Sequence, residues 1–209
     1  MATDIPKPLR ADAARNFEKI TRTARQVYAE RGPETQLDEI ARRADVGIAT
    51  LYRHFPDKTA LLRAALDQAF DEQITPAIEQ AMHDDQPRRG LATVLEAALS
   101  LAINERNILA TATNLGAVTA EAATRFFDPL TLLARRGQQA GVIRADLVPE
   151  DIFRAMAMLI SVLPTMDPHS GGWRRYLTLI LDALSPEAAT PLPPAVPLLP
   201  PRPSNLLRS

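Results

Sequence analysis

The sequence contains no cysteine among its 209 residues, which excludes disulfide bonds and thiolate metal sites. It also lacks any run of about 18 apolar residues, so no membrane-spanning helix is predicted. The first 16 residues carry no apolar stretch of the kind that a secretory signal needs. We therefore expect a soluble cytoplasmic protein that does not engage a membrane.

Period-two alternation of apolar and polar residues, the mark of a half-buried strand, is absent, and aromatic residues make up only 5% of the chain. Alanine and leucine dominate the apolar 46% instead, which favours helices packed on helices. Charge is unevenly spread: residues 1–63 carry a net charge of +3 and the remainder −4. A basic head on an acidic body is typical of a phosphate-binding module joined to a second unit.

Helical spacing of apolar residues predicts an all-α fold, with an N-terminal three-helix head and a C-terminal helical bundle. We expect a flexible basic arm over 1–14, the head over 15–64, and a helical body over 65–185. A Pro-rich disordered tail is predicted over 186–209, because eight of the last 25 residues are proline. Helices of the body are predicted near 76–84, 88–104, 105–116, 119–140, 149–163 and 171–184.

Three helices are predicted in the head, of which the second and third are short. Gly32 and Pro33 end the first, and Thr35 is a candidate N-cap for the second. Asp45 breaks the second helix, and Pro56 ends the third. Two short helices joined by a tight turn are a helix-turn-helix, which places its second helix in a DNA major groove about 12 Å wide.

The segment 47–55, GIATLYRHF, suits such a recognition helix. Gly47, Ile48, Ala49 and Thr50 form a low first turn that can approach bases, and the two apolar residues can touch thymine methyl groups. Lys58 follows in the first turn of the next helix, where its charge and free N–H groups can bind one phosphate.

At this point the run TQLDEIARRADVGIATLYRHFPDKTALLRAAL resembles the DNA-binding region of the TetR family of bacterial regulators. A dozen positions follow the family pattern at fixed spacing, across about residues 15–70. The family pattern is matched at Thr35, Leu37, Ile40, Ala41, Val46, Thr50, Leu51, Tyr52, His54, Phe55, Lys58 and Leu61. The resemblance implies a helix-turn-helix DNA-binding domain over 15–64 and a ligand-binding and dimerisation domain over 65–185. It also implies a homodimer that binds an inverted-repeat operator in double-stranded DNA and responds to a small-molecule inducer.

The same resemblance implies which residues contact DNA, with Tyr52 and Lys58 on the backbone. The full set expected is Thr35, Gln36, Gly47, Ile48, Ala49, Thr50, Tyr52, Arg53, His54 and Lys58. Three positions depart from the family pattern. Asp45 stands where the turn usually has glycine, Gly47 replaces a capping serine, and Ile48 removes a hydrogen-bonding side chain.

Simpler structural roles remain open for several of these residues. Phe55 and Leu51 fit core positions, and Tyr52 and His54 can be read as structural side chains. Arg42 and Arg43 fit a solvated helix face as well as a phosphate contact.

A small helical enzyme or metal-binding protein is the alternative. Glu79 and His83 stand four residues apart on a predicted helix, followed by Asp84 and Asp85. A metal centre needs a further ligand, and the other histidines, His54 and His169, lie in the head and in a loop. No nucleophile motif and no glycine-rich phosphate loop is present. We therefore expect no enzyme activity, no metal and no cofactor.

The inducer pocket is expected among the helices over about 76–140, with Leu95, Leu99, Ile103, Asn114 and Phe126 as its ligand-binding residues. The dimer surface is expected on the helix ending near Ala140 and on the last helix. The apolar residues assigned to that surface are Phe127, Leu130, Leu133, Ala134, Tyr176, Leu177, Ile180, Leu181 and Leu184. The alternative for these residues is the intrachain core. Repression is expected by analogy, since it needs only occupancy of the operator.

Overall fold

The computed structural model describes residues 7–167, 170–187 and 189–198, and within them the only regular elements are helices. The α-helices are α1 (Lys7–Arg31), α2 (Leu37–Arg43), α3 (Ile48–His54), α4 (Lys58–Gln73), α5 (Thr75–His83), α6 (Pro87–Asn104), α7 (Arg106–Asn114), α8 (Ala120–Gln139), α9 (Pro149–Val162) and α10 (Trp173–Ala183). The predicted all-α fold is confirmed, and each predicted body helix is found within two residues of its expected limits. In the described part of the chain, no helix is both long and apolar enough to cross a membrane.

The first helix begins earlier than the sequence suggested. Residues 7–14 of the expected flexible arm belong to α1, which starts at Lys7. Pro8 does not prevent this, because the first turn of a helix needs no N–H donor. The expectation for residues 1–6 lies outside the described residues.

The head core forms where α1 to α4 meet. Its large side chains are fully buried, and burying each contributes about 1.5–3 kcal/mol. They are Ile20, Tyr28, Ile40, Leu51, Phe55, Leu61 and Leu62. Ile108, Ala112 and Ala117, which belong to α7 and the turn after it, pack into the same core.

The boundary predicted between residues 64 and 65 falls inside α4, a continuous helix that runs from the head into the body. Because α7 also contributes to the head core, head and body share two helices rather than a linker. Within the body, α6 packs against α5, α8, α9 and α10. Its buried residues Leu91, Val94, Leu95 and Leu99 lie at the centre of the body core.

Two details of the helix-turn-helix follow from local backbone chemistry. Asp45 adopts φ +48°, the only positive φ of a non-glycine residue in the described chain. This confirms that aspartate occupies the left-handed turn position, which short polar side chains tolerate better than others. Thr35 is not the N-cap of α2: Gln36 holds that position, and the Thr35 hydroxyl donates to Gly32 O at 2.8 Å.

The predicted tail is partly attached to the body. Residues 189–198 contain no helix or strand, but they are hydrogen-bonded to the loop before α9 and to α9 itself. The Leu192 N–H donates to Asp146 Oδ2 at 2.9 Å, and Arg154 Nη2 donates to Val196 O at 2.6 Å. The disorder expected over 186–209 is therefore wrong for this stretch, because main-chain groups that proline-rich sequence leaves unpaired are satisfied by side chains. Residues 188 and 199–209 lie outside the described residues.

Candidate nucleic-acid interface and ligand cavity

One side of α3 faces solvent and the other faces the head core. Ile48 is 43% exposed and Tyr52 51% exposed, and Ala49 and Arg53 are also exposed. We call these four residues the reading face. Leu51 and Phe55 are buried on the opposite side, which confirms the core role considered for them. The helix thus presents a low N-terminal turn, an aromatic ring and a guanidinium outward.

The start of α3 is capped by backbone rather than by a side chain. Gly47 is extended at the N-cap position, and its carbonyl accepts from Thr50 N at 2.8 Å. A Cβ added at Gly47 would lie 3.9 Å from Thr50 Oγ1, an ordinary contact. Glycine is therefore not required sterically there, and its effect is to keep this turn low. The Thr50 side chain is half-buried.

His54 lies in a small aromatic group at the end of α3. Its ring centroid is 6.5 Å from that of Phe17 and 6.1 Å from that of Phe55. Phe17 and Phe55 are themselves 5.0 Å apart. The imidazole is half-buried, so it packs against α1 while keeping part of its edge in solvent.

Lys58 is engaged within the head. Its ammonium donates to Pro33 O and to Thr35 O, both at 3.1 Å, and lies 5.6 Å from the centre of the Tyr28 ring. An ammonium has three donors, so one remains for an external acceptor. Lys58 thereby fixes the turn before α2 to the start of α4.

The remaining residues predicted to contact DNA are divided by exposure. Gln36 is exposed, and its side-chain amide donates to Glu34 O at 3.2 Å. Thr35 is only 2% exposed, so the structure does not place it with the reading face. Arg43 forms an ion pair with Glu30 at 2.5 Å, whereas Arg42 is exposed and has only a 3.9 Å contact with Glu39.

A large cavity of about 900 Å³ lies in the body beside the head. Its walls come from α4, α6, α7, α8, α9 and the segments between them. The predicted residues Ile103, Asn114 and Phe126 line it, as do Leu109 and Thr113. Leu95 and Leu99 do not, because they face the buried core of the body.

Sequence reasoning did not name the residues of two walls of this cavity, since it placed the pocket mainly among the helices over 76–140. Phe70 contributes from α4 and Phe153 from α9. Four of the six phenylalanines of the chain line the cavity, and the other two, Phe17 and Phe55, lie in the head. That clustering of phenylalanine outside the head is the signal in the sequence that could have indicated the missing walls.

Charged groups at the edge of the cavity are paired with each other. Arg125 donates to Asp71 at 2.5 Å, lies 3.6 Å from Asp67, and stacks 4.6 Å from the Phe70 ring centre. Burial raises the pKa of Asp67, although the nearby Arg125 charge opposes that effect. Arg63 Nε donates to Ala117 O at 3.4 Å.

The residues of the metal alternative have other partners. The His83 Nδ1 lies 2.7 Å from Glu79 O, and the Asp84 carboxylate accepts from Arg89 Nε at 2.6 Å. Arg89 lowers the pKa of Asp84 through that bond. Among the residues that the structure describes, no three histidine or acidic side chains come together in a way that could bind a metal ion. The prediction that His169 lies in a loop falls outside the described residues.

The apolar residues assigned to the dimer surface are mostly intrachain core. Leu130, Leu133, Ala134, Leu177 and Leu184 are buried within the body. Phe127 packs against that core and lines the cavity. Tyr176 is exposed, and the other large exposed apolar side chains of α8 and α10 are Leu132 and Leu179. The buried residues therefore fit the intrachain-core alternative, which the sequence could not separate from an interface because both use the same helical period.

Residues 20–65 match the family of bacterial regulatory proteins called tetR. An HTH-type transcriptional regulator of Staphylococcus aureus is 35% identical over 68 residues, which is 32% of this chain and only 37% of that protein. A TetR transcriptional regulator from Streptomyces coelicolor has a similar structure, with a TM-score of 0.61 and 27% identity over 82% of this chain and 99% of that one. A TetR regulatory protein from Mycobacterium vanbaalenii gives a TM-score of 0.61 and 29% identity, over 85% of this chain and 99% of that one.

Proposed function

Because the chain belongs to the TetR family of bacterial regulatory proteins, we propose that it is a homodimeric, sequence-specific DNA-binding transcriptional repressor that a small molecule releases from its operator. The observation that carries DNA binding is the exposed reading face of α3, in which Ile48, Ala49, Tyr52 and Arg53 point away from the head core. A helix exposed on one side and fixed on the other can enter a major groove without losing its support.

Different residues on and near α3 have different roles in binding DNA. Ile48, Ala49 and Thr50 read base edges and thymine methyl groups, because short side chains allow the helix to approach the groove floor. Gln36, Tyr52 and Arg53 bind phosphate oxygens and set the register. Lys58 positions the turn before α2 and offers its third donor to the same backbone.

The inducer binds in the cavity, and α7 carries its effect to the head. Ile108 and Ala112 of this helix are buried in the head core, whereas Leu109 and Thr113 of the same helix line the cavity. A ligand that displaces α7 therefore displaces the head packed on it. Coupling of about 1–3 kcal/mol, typical of such switches, changes operator affinity at least several-fold.

Two heads read the two halves of an inverted repeat, because a two-fold dimer matches a two-fold operator. The exposed residues Leu132, Tyr176 and Leu179 on α8 and α10 form the dimer contact. Leu179→Glu should shift the protein toward monomer in sedimentation velocity, and Val196→Glu is the control because it changes another exposed apolar residue outside both helices. The complex acts in the cytoplasm, where its DNA is.

The test is a mobility shift with the DNA upstream of its own gene, against random DNA of equal length, followed by footprinting. We expect a protected inverted repeat with half-sites about 34–36 Å apart, or a multiple of that. Thr50→Ala should cost about 1–3 kcal/mol on this site and little on random DNA. Thr190→Ala, at an exposed threonine outside the head and outside both proposed dimer helices, is the matched control. Equal affinity for all sequences contradicts the proposal.

A further inference from the structure

The cavity has an unusually aromatic wall for a chain so poor in aromatic residues. Phe126 and Phe127 meet edge to face with ring centres 4.9 Å apart, and Phe127 and Phe153 are 5.0 Å apart. Phe153 nevertheless remains 39% exposed. Exposed aromatic surface inside a concave site is available to stack on a ligand ring.

Charges at the edge of this wall are already balanced. Arg63, Arg106 and Arg125 line the cavity together with Asp67, and Asp71 and Glu121 lie near Asp67, so three positive groups are matched in number by three negative ones. Arg125 is bonded to Asp71 and covered by the Phe70 ring. Glu121 adds a weaker negative field at Asp67. An ionic ligand of either sign would therefore be repelled by groups of its own charge as well as attracted by groups of the opposite charge.

Few polar groups of the wall remain for a ligand. The Thr113 hydroxyl donates to Leu109 O at 2.8 Å, within its own helix. Asn114 and Arg106 are exposed at the margin, and neither side chain has a hydrogen bond or ion pair to another described residue. Arg106 stays hydrated where it is, so it gains little by binding an anion.

We propose that the cavity selects an uncharged aromatic molecule of two or more rings, an inference that rests on the cavity being the inducer site of the proposed function. Its rings stack on Phe127 and Phe153, and Asn114 binds one polar substituent. A charged ligand stacked on these rings would lose its hydration in the apolar interior, while Arg106, which has no ion pair, stays hydrated at the margin, and this disfavours a charged ligand. The volume of about 900 Å³ is at the large end for such sites, so one ring does not fill it.

Two fluorescent probes that share the same ring skeleton but differ in charge distinguish the effect of ligand charge from that of ligand shape. N-phenyl-1-naphthylamine is neutral, and 8-anilino-1-naphthalenesulfonate is the same molecule with an anionic group; ethidium serves as an aromatic cation. We expect the neutral probe to bind the full-length dimer about tenfold more tightly than either charged one, because desolvating an ion costs more than 1.4 kcal/mol. Its affinity should not change with salt, since no ion pair forms.

Variants locate the binding. Phe153→Ala should weaken the neutral probe about fivefold or more, since an aromatic contact contributes about 1 kcal/mol. Phe17→Ala is the matched control, because Phe17 is also 39% exposed but lies in the head. Arg106→Gln should leave the neutral probe unaffected. Circular dichroism and thermal melting check that each variant is folded.

Three results would contradict the inference, and only the third would also contradict the cavity as the inducer site. Tighter binding of the sulfonate, lost in Arg106→Gln, identifies an anionic amphiphile as the ligand and leaves the cavity as the inducer site. Tighter binding of ethidium, lost in Asp67→Asn, identifies a cation and likewise leaves the site in place. If none of the probes binds the folded protein, the cavity is not a ligand site, and its role in the proposed function fails with the inference.

Discussion

Arg25 of α1 and Glu105, the single residue between α6 and α7, form an ion pair that joins head and body. Arg25 Nε donates to Glu105 Oε1 at 2.8 Å, and Arg25 Nη1 donates to Glu72 Oε2 of α4 at 2.6 Å. The Glu105 side chain is only 8% exposed and that of Arg25 15% exposed. One guanidinium of α1 thus binds both α4 and the junction between α6 and α7.

Glu105→Gln should destabilise the protein by about 1–3 kcal/mol, because it leaves a largely buried guanidinium with one carboxylate. The same change should reduce the effect of inducer on operator affinity, since α7 is then less firmly tied to α1. Urea unfolding measures the first effect, and titration of the DNA complex with inducer measures the second.

Asp182→Asn is the control for that experiment, because it removes an exposed ion pair with Arg88 on the far side of the body. Exposed pairs contribute little to stability. If Glu105→Gln leaves both stability and inducer response as in the parent protein, the pair does not couple the two parts.

Lys58→Met should have two separable effects. Loss of the hydrogen bonds to Pro33 O and Thr35 O should lower the melting temperature by loosening the turn before α2. Loss of a phosphate contact should weaken specific and random DNA alike and reduce the salt dependence of binding by about one unit of slope. Arg53→Gln, which removes a charge from the exposed reading face, should reproduce the second effect without the first. A lower melting temperature with an unchanged salt slope would leave Lys58 a positioning residue only.

Asp45→Gly should stabilise the head by about 0.5–1 kcal/mol, because glycine adopts φ +48° without the clash that a Cβ causes. Asp45→Ala keeps the Cβ and loses the short polar side chain, so it should destabilise. The contact with Lys19 at 3.6 Å is exposed and changes this balance little. Thermal or urea unfolding of both variants measures whether each substitution raises or lowers the stability of the protein. Stabilisation by alanine would show that the left-handed backbone is not strained.

The helices of this protein could be predicted from the sequence more accurately than its surfaces. Helix limits were predictable because glycine, proline and short polar residues act locally, as at Gly32 and Pro56. The turn at Asp45 was predictable for the same reason. Thr35 was misplaced by one step because its hydroxyl donates to Gly32 O instead of accepting from the first N–H groups of α2.

Core, cavity and interface were not separable from the sequence, because all three use apolar residues at the same helical period. Leu99 and Ile103 share one face of α6 four residues apart, yet Leu99 is core and Ile103 lines the cavity. Only the distance from α6 to the helices packed opposite it distinguishes a core position from a cavity position. The wall from α4 was missed because a domain boundary had been placed within that helix.

Acid should release the C-terminal segment 189–198. Hydrogen bonds from Arg144 and from the Leu192 N–H hold the pKa of Asp146 well below its usual range. A carboxyl group whose pKa is lowered in the folded state stabilises at pH above its ordinary pKa, and that contribution is lost as pH falls through the lowered value. Attachment should therefore be complete at neutral pH and weaken below about pH 4.

Hydrogen exchange at the Leu192 amide measures this attachment. Asp146→Asn should speed that exchange at neutral pH, because the amide loses a charged acceptor. Arg154→Gln should speed exchange further along the segment, where the guanidinium donates to Val196 O and Pro197 O. The same exchange rates in parent and both variants would mean that side chains do not hold this segment.

Gly137→Ala should destabilise the body by about 1–3 kcal/mol through overpacking. A Cβ at this buried position of α8 would lie 2.5 Å from Ile143 Cδ1 and 2.7 Å from Ile143 Cγ1. The turn after α8 cannot retreat freely, because the Val142 and Ile143 N–H groups both donate to Gly137 O, at 2.9 and 3.1 Å. Ile143→Ala removes the clashing atoms, so the double variant should be less destabilised than the sum of the two single variants, as measured by urea unfolding. Additive effects would mean that α8 and this turn are not packed as closely as the structure places them.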